Sequence, residues 1–160
     1  DNQETALNRS DANDRYVLDD RVRKKGDDMT DTHYSIMVVE DESLLLQAIT
    51  KKLEVNGFGV VSCKNGEQAI DYLKNMDKKP DAIWLDYYLK DMDGIGFMTA
   101  LKALPTASDI PVMVVSNSAS DEKVHNMLAL GAKKYMLKAQ YRLDDLIIAL
   151  REIIPVAKEL

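Results

Sequence analysis

A chain of 160 residues, 46% hydrophobic and 30% charged, can bury a core and is most simply one soluble domain with an appendage. Its formal net charge of −6 argues against direct nucleic-acid binding, which normally needs a basic stripe on the surface. A single cysteine, Cys63, excludes a disulfide or a cysteine-based zinc site within the chain. We find no signal-peptide hydrophobic region and no apolar run of membrane-spanning length, so we expect a cytoplasmic protein without membrane insertion.

Residues 1–33 differ from the remainder of the chain. Their apolar residues are scattered without a helix or strand period, so burial cannot offset the entropy cost of ordering them. We therefore predict a disordered polar tail over 1–33 and a folded domain over 34–160. Four basic residues of the tail lie among acids, and we interpret them as a solvated segment rather than a binding patch: Arg21, Arg23, Lys24 and Lys25.

Short apolar runs alternate with segments of helical period from Tyr34 onward. Five runs are too short for helices and predict buried strands: 36–39, 60–63, 82–85, 111–115 and 135–137. Apolar residues at helical spacing follow each run: Leu45 or Leu46, Ile49 and Leu53; Ala69, Ile70 and Leu73; Phe97, Met98, Leu101 and Leu104; Val124, Met127 and Leu128; Leu143, Leu146, Ile147, Leu150, Ile153 and Ile154.

Helix boundaries are marked by residues with known end preferences. Asn56 and Gly57 predict a left-handed stop after the first helix. Asn65, with Gln68 three residues later, resembles a capping box at the start of the second. Ser120 predicts the start of the fourth helix, and Pro105 predicts the end of the third.

Five strand-helix units with nearly continuous apolar strands predict an α/β fold: a doubly wound, five-stranded parallel sheet flanked by five helices. A common strand order for such flavodoxin-like sheets is 2-1-3-4-5, which places the first and third strands side by side. The sequence shows no internal repeat and no second domain. Only five residues follow Pro155, so we expect no DNA-binding output module in this chain.

Polar residues follow the predicted strands at the edge where such sheets form their sites. Glu40 and Asp41 follow the first strand and Asp86 follows the third, so the three carboxylates would repel one another unless they protonate or bind a cation. Oxygen ligands without histidine or thiolate favour Mg²⁺ over zinc. Ser116 after the fourth strand and Lys138 after the fifth complete a pattern typical of phosphoryl transfer to an aspartate nucleophile.

Four motifs in order resemble the receiver domain of two-component response regulators over roughly residues 34–154: VVEDE at 38–42, WLDYYLKDMDG at 84–94, VVS at 114–116 and KYMLK at 134–138. The resemblance implies that Asp86 is the phosphoacceptor and that Ser116 and Lys138 bind the phosphoryl oxygens. It also implies a Mg²⁺ site and a pair of switch residues. The metal ligands would be Glu40, Asp41, Asp86 and the backbone carbonyl of Tyr88, and the switch residues Ser116 and Tyr135.

The resemblance implies a phosphorylation switch rather than an enzyme with an external substrate. The phosphodonor would be a sensor histidine kinase or a histidine phosphotransfer protein, and the receiver would assist its own phosphorylation and dephosphorylation. Phosphorylation would change the affinity for a downstream protein, which the sequence does not identify. The expected output surface is formed by the fourth helix, the fifth strand and the fifth helix.

The sequence departs from the family pattern at several positions. Ala139 follows Lys138 where the family usually has proline, which favours a trans peptide because a non-proline cis bond costs about 2.5–4 kcal/mol. Lys90 stands where the loop after the acceptor often has proline, leaving that loop less restrained. Tyr88 lies at a position that varies in the family, and we predict that its ring shields the phosphoryl group from water. We interpret Asp91 and Asp93 as turn and helix-start residues with local roles rather than as metal ligands.

Three alternatives remain open from the sequence. The chain could be a degenerate receiver that acts as a constitutive interaction module, or a receiver domain excised from a hybrid histidine kinase. A phosphatase with an aspartyl-phosphate intermediate would share the nucleophile and the metal. Such enzymes carry a second aspartate two residues after the first, and Tyr88 at that position counts against this alternative.

Overall fold

The computed structural model describes residues 33–155, and the predicted tail lies outside the described residues except for its last position. The described part contains five strands and five α-helices in alternation. They are β1 Ser35–Val39, α1 Ser43–Val55, β2 Gly59–Cys63, α2 Gly66–Asn75, β3 Ala82–Asp86, α3 Gly94–Lys102, β4 Val112–Ser116, α4 Asp121–Ala129, β5 Lys134–Leu137 and α5 Leu143–Ile153. A single 3₁₀ turn, Lys138–Gln140, connects β5 to α5.

The five strands form one parallel sheet in the order β2-β1-β3-β4-β5, which confirms the predicted fold. Asp86 pairs in register with Val115, and Ser116 pairs with Leu137. Because all strands run in the same direction, the residues that follow them collect at one edge of the sheet. The polar residues singled out in the sequence therefore share that edge.

Each face of the sheet buries a separate hydrophobic layer. Helices α2, α3 and α4 cover one face, and α1 and α5 cover the other. Strands β3 and β4 are buried along their whole length, which explains their nearly continuous apolar sequences. The largest fully buried side chains come from both layers: Trp84, Phe97, Ile36, Met37, Ile49, Leu53, Leu73, Ile83, Leu85, Met98, Leu101 and Met113.

Most predicted helix ends agree with the structure. Gly57 follows α1 with a φ of 92°, a left-handed conformation that glycine adopts without steric cost. The Asn65 side chain caps α2 by accepting from the N–H of Gln68 at 2.8 Å. In a standard capping box the Gln68 side chain would accept a hydrogen bond from the N–H of Asn65. Here it accepts from the N–H of Lys64, one residue earlier. Ser120 caps α4 by accepting from the N–H of Lys123.

Two apolar positions do not lie where the helical period placed them. Leu104 was expected within the third helix, but α3 ends at Lys102 and Leu104 lies in the following turn, where its N–H donates to Leu101. The following Pro105 disfavours the helical conformation for Leu104, which explains the earlier end. Leu128 is 44% exposed rather than part of the buried face of α4, since Met127 fills that role.

The two aspartates of the loop after β3 both cap helices. Asp93 caps α3 by accepting from the N–H of Gly96 at 2.9 Å, as the sequence predicts. Asp91 was expected to act locally, but it instead binds the first backbone N–H groups of α2, which lies 25 residues earlier in the chain. The spacing of residues within one loop could not reveal a partner so distant in sequence.

Two further sequence expectations concern single positions. Cys63 is buried as expected of a small apolar residue, and burial raises the pKa of its thiol to about 11. All peptide bonds of the described residues are trans, including the bond between Lys138 and Ala139.

Candidate functional site

Three carboxylates meet at the edge of the sheet where the strands end. Glu40 and Asp41 directly follow β1, and Asp86 is the last residue of β3. One oxygen from each of the three side chains lies within 4.8 Å of the others. Glu40 and Asp86 are buried, and Asp41 is half-buried. We call these three residues the acidic edge.

Lys138 supplies a positive charge to the acidic edge. Its ammonium nitrogen lies 3.3 Å from Oε1 of Glu40 and 3.6 Å from Oδ1 of Asp86. The second oxygen of Glu40 accepts from the backbone N–H of Glu42 at 3.1 Å. Glu40 is therefore held from both sides, while Asp86 depends on Lys138 for its counter-charge.

The Asp86 carboxyl is strongly affected by its surroundings. Burial raises its pKa to about 7, with a further contribution from the negative charge of Glu40. The ammonium group of Lys138 opposes these effects and lowers the pKa, and the negative charge of Asp41 raises it. Desolvation and the neighbouring negative charges thus raise the pKa of Asp86 by more than Lys138 lowers it. The cluster can therefore accept additional positive charge.

The donor set fits a hard divalent cation. The three side chains offer carboxylate oxygens at close range and no sulfur or imidazole ligand. A cation would also relieve the repulsion that raises the pKa of Asp86. The residues present are therefore compatible with Mg²⁺. The role of the Tyr88 backbone carbonyl as a further ligand stays a prediction.

Ser116 and Tyr135 are connected through Ser118. Ser116 is fully buried at the end of β4, and its Oγ accepts from the N–H of Ser118 at 3.3 Å. The Tyr135 hydroxyl donates to the carbonyl oxygen of Ser118 at 2.8 Å. The two residues predicted to act together in switching therefore bind the same residue of the loop after β4. Their role as switch residues is a prediction that this contact supports.

Three tyrosines and a lysine form a second cluster, which begins at Tyr87, the residue after Asp86. Tyr87 is buried and Tyr88 is exposed, and their rings meet edge to face with centroids 4.8 Å apart. The Lys123 ammonium lies 4.7 Å from the Tyr88 ring centroid and 5.4 Å from that of Tyr87. Tyr135 lies beside Tyr87 at 6.2 Å. We call Tyr87, Tyr88, Lys123 and Tyr135 the aromatic rim.

The electrostatics of the rim agree with this geometry. Hydrogen bonding to Lys123 lowers the pKa of Tyr88, and the same contact raises the pKa of Lys123. Burial raises the pKa of Tyr87. The Tyr88 ring is thus held by a cation from α4 rather than by packing alone.

The structure brings together most residues that the sequence singled out. Oxygens of Glu40, Asp41 and Asp86 lie within 4.8 Å of one another, and Lys138 lies close to Glu40 and Asp86. Ser116 and Tyr135 are linked through the loop after β4. Sequence reasoning missed Lys123, because its contact with the rim depends on how α4 packs on the sheet. Its place in the first turn of α4, after the Ser120 cap, was the only available signal.

The described part of the chain, residues 33–155, has no helix that combines the length and apolar character needed to cross a membrane.

Comparison with known proteins identifies the family. The family model for the response regulator receiver domain matches residues 36–151. The transcriptional regulatory protein PrrA of Mycobacterium bovis is 35% identical over 104 residues, which cover 64% of this chain and 42% of that protein. The chain therefore spans less than half the length of this relative.

Solved structures agree with this assignment. The structure of a phosphorylated cyanobacterial phytochrome response regulator, RcpA, is 28% identical with a TM-score of 0.65, covering 76% of this chain and 91% of that one. The chemotaxis protein CheY4 of Vibrio cholerae shares the fold with a TM-score of 0.71 at 20% identity, covering 77% of this chain and all of that one. With the family model covering most of its length, the chain belongs to the response regulator receiver domain family of two-component signalling.

Proposed function

We propose that this receiver is phosphorylated on Asp86 with the help of Mg²⁺ and signals by phosphorylation-dependent binding of a partner protein. The observation that supports this most directly is the acidic edge with its lysine: three carboxylates within 4.8 Å, and Lys138 between Glu40 and Asp86. A cluster of buried acids is costly to maintain for stability alone. Its presence at the strand ends is understandable if it binds a cation and a phosphoryl group.

The proposed reaction transfers a phosphoryl group from a phosphohistidine to an oxygen of Asp86. The phosphorus–nitrogen bond breaks with its electron pair left on the imidazole, and a phosphorus–oxygen bond forms to give an acyl phosphate. Lys138 would bind the phosphoryl oxygens, since its ammonium already lies 3.6 Å from Asp86. Ser116 would donate its hydroxyl to the same oxygens. When bound by Glu40, Asp41 and Asp86, Mg²⁺ would neutralise charge on the transferred group.

Signalling would follow from the link between Ser116 and Tyr135. If the Ser116 hydroxyl turns toward the phosphoryl group, the bond that it accepts from Ser118 is lost or weakened. The carbonyl oxygen of Ser118 also accepts a hydrogen bond from the Tyr135 hydroxyl. A shift of Ser118 would therefore weaken or break the bond that holds the Tyr135 ring. Phosphorylation would thus bias two arrangements of the surface formed by α4, β5 and α5.

We propose that the phosphodonor is a sensor histidine kinase or a histidine phosphotransfer protein, and that the protein acts in the cytoplasm. The chain would assist its own phosphorylation and dephosphorylation without turning over an external substrate. Its downstream partner is a protein that distinguishes the two arrangements of α4, β5 and α5.

The test is phosphorylation by a small-molecule donor such as acetyl phosphate. We expect intact-mass spectrometry to show one added phosphoryl group with Mg²⁺ present and none with EDTA. Asp86→Asn should abolish the modification, because the amide cannot form an acyl phosphate. Asp109→Asn, at an exposed aspartate that pairs with Lys79 outside the acidic edge, is the control with the same chemical change and should still be modified.

A receiver that acts as a constitutive module predicts the opposite result. If the folded wild-type protein gains no phosphoryl group and shows no spectral response to beryllofluoride with Mg²⁺, the phosphorylation proposal is wrong. The same outcome would favour the degenerate receiver.

A further inference from the structure

The loop between β3 and α3 forms a closed turn beside Asp86. The backbone N–H of Leu89 donates to the carbonyl oxygen of Met92 at 3.0 Å, and Tyr88 and Asp93 form an isolated antiparallel bridge. Tyr88 thus lies at the base of the turn and Asp91 lies near its tip. The turn presents the backbone of Tyr88 two residues after the proposed phosphoacceptor.

The tip of this turn is attached to a different helix. The two carboxylate oxygens of Asp91 accept separate hydrogen bonds from the start of α2, one from the N–H of Gly66 at 3.0 Å and one from the N–H of Glu67 at 2.8 Å. These N–H groups have no partner within the helix, and they lie at its positive end. A carboxylate binds them well, and the pKa of Asp91 is lowered because these bonds and one from its own backbone outweigh partial burial.

Apolar packing supports the same attachment. Met92 lies so close to Gly66 that a Cβ added there would be 2.6 Å from the Cγ of Met92. Only glycine permits this approach without a shift of the methionine. Two neighbouring residues of the turn therefore hold the start of α2, one by hydrogen bonds and one by contact.

We propose that Asp91 is a positioning residue for divalent-metal binding, holding the turn after β3 against α2 so that the Tyr88 carbonyl, the predicted backbone ligand, is kept in position for the metal. This inference rests on the proposed function, since it assumes that the acidic edge binds Mg²⁺. Lys90 cannot restrain the backbone of this turn as proline would. The attachment through Asp91 supplies a restraint from outside the turn.

The simpler alternative is that Asp91 only stabilises α2 as a second cap. The chain offers a matched control for this alternative, because Asn65 caps the same helix through the N–H of Gln68 and belongs to no part of the turn. Loss of either side chain should weaken the start of α2. Only loss of Asp91 should release the turn.

The experiment compares the 160-residue wild-type chain with Asp91→Ala, Asp91→Asn and Asn65→Ala. Mg²⁺ is titrated by calorimetry and by the fluorescence of Trp84, the single tryptophan, which lies two residues before Asp86. We expect Asp91→Ala to raise the Kd for Mg²⁺ about tenfold, as removal of groups that orient metal ligands commonly does. Asn65→Ala should leave the Kd within about twofold of wild type, although both variants lower the Tm.

Asp91→Asn keeps one acceptor oxygen and the shape of the side chain, so it should fold even if the alanine variant does not, with an intermediate Kd. Equal Mg²⁺ affinity in wild type and both Asp91 variants would overturn the positioning role while leaving the proposed function intact. Equal losses in Asp91→Ala and Asn65→Ala would also overturn it, because the effect would then belong to α2. A folded wild type that binds no Mg²⁺ would instead overturn the proposed function.

Discussion

The acidic edge and the aromatic rim adjoin the same site but are built differently. In the acidic edge, Glu40 is 1% exposed and Asp86 is 7% exposed, and the contacts join full charges. In the rim, Tyr88 is 49% exposed, and its contacts are a ring edge and a cation over the ring. Charges interact strongly where water is excluded, whereas contacts at an exposed surface are individually weak. The edge should therefore determine whether Asp86 is phosphorylated, and the rim should influence how long the phosphorylated protein lasts.

Lys138 should show the largest effect of the remaining substitutions. Lys138→Met removes the cation between Glu40 and Asp86 and should slow phosphorylation by acetyl phosphate about 100-fold, as loss of a positioned charge donor commonly does. Without Lys138, the pKa of Asp86 should also rise further, so less of the nucleophilic carboxylate is present. The measurement is the rate of phosphoprotein formation at saturating Mg²⁺.

The control for this substitution is the first residue of β5, the strand that precedes Lys138. Lys134 pairs with Glu152 and belongs to neither the edge nor the rim. Lys134→Met should leave the rate within about twofold of wild type, because exposed ion pairs contribute little. If Lys138→Met is phosphorylated as fast as Lys134→Met, the charge at the acidic edge does not control the reaction. The proposed difference between the edge and the rim would then be wrong.

Asp86→Asn should stabilise the fold when divalent cations are absent. The substitution removes a buried negative charge from beside two others, so in EDTA we expect a gain of about 2 kcal/mol in the free energy of unfolding near pH 7.5. The pKa of Asp86 is raised to about 7 in the folded state from an ordinary value of 3.8. The folded wild type therefore binds the extra proton between these values and loses stability as the pH rises through them.

Asparagine does not titrate, so the gain in stability should be largest above pH 7 and should shrink toward pH 4. Urea denaturation of both proteins across this pH range measures it. A gain that is constant with pH would mean that the charge of Asp86 is not what destabilises the edge.

The residues of the edge could all be predicted from the sequence, whereas of the rim only Tyr88 and Tyr135 were singled out, and this difference has a structural reason. Glu40, Asp86 and Ser116 directly follow or end strands, and a parallel sheet brings strand ends together whatever the details of packing. Lys123 reaches the rim only through the rotation and placement of α4, which short-range patterns do not specify. The same limit explains the exposed Leu128 on that helix.

Asp91 shows the limit for loops. Its residue type predicts a cap or a turn, but not which helix it caps, because the partner N–H groups lie on α2. The wider resemblance to receivers identified the family and predicted the site residues. It could not indicate how this chain restrains a turn that carries Lys90 in place of proline.

The smallest effect is expected at the rim, where Tyr88→Ala should shorten the lifetime of the phosphorylated protein. Removing the exposed ring admits water beside the acyl phosphate, so we expect dephosphorylation to become several-fold faster. Tyr88→Phe keeps the ring and should remain close to wild type. The measurement is loss of the phosphoryl group after removal of the donor. If Tyr88→Ala loses it at the wild-type rate, the ring does not shield the site.

Lys123 provides the sharper test, because it contacts the ring without belonging to the acidic edge. Lys123→Met releases the ring from the cation 4.7 Å from its centroid and should speed dephosphorylation about twofold. If the lysine acts only by holding the ring, the double variant with Tyr88→Ala should behave as Tyr88→Ala alone. Additive effects would instead mean that the Lys123 charge acts on the phosphoryl group directly, which would place this helix residue with the edge rather than with the rim.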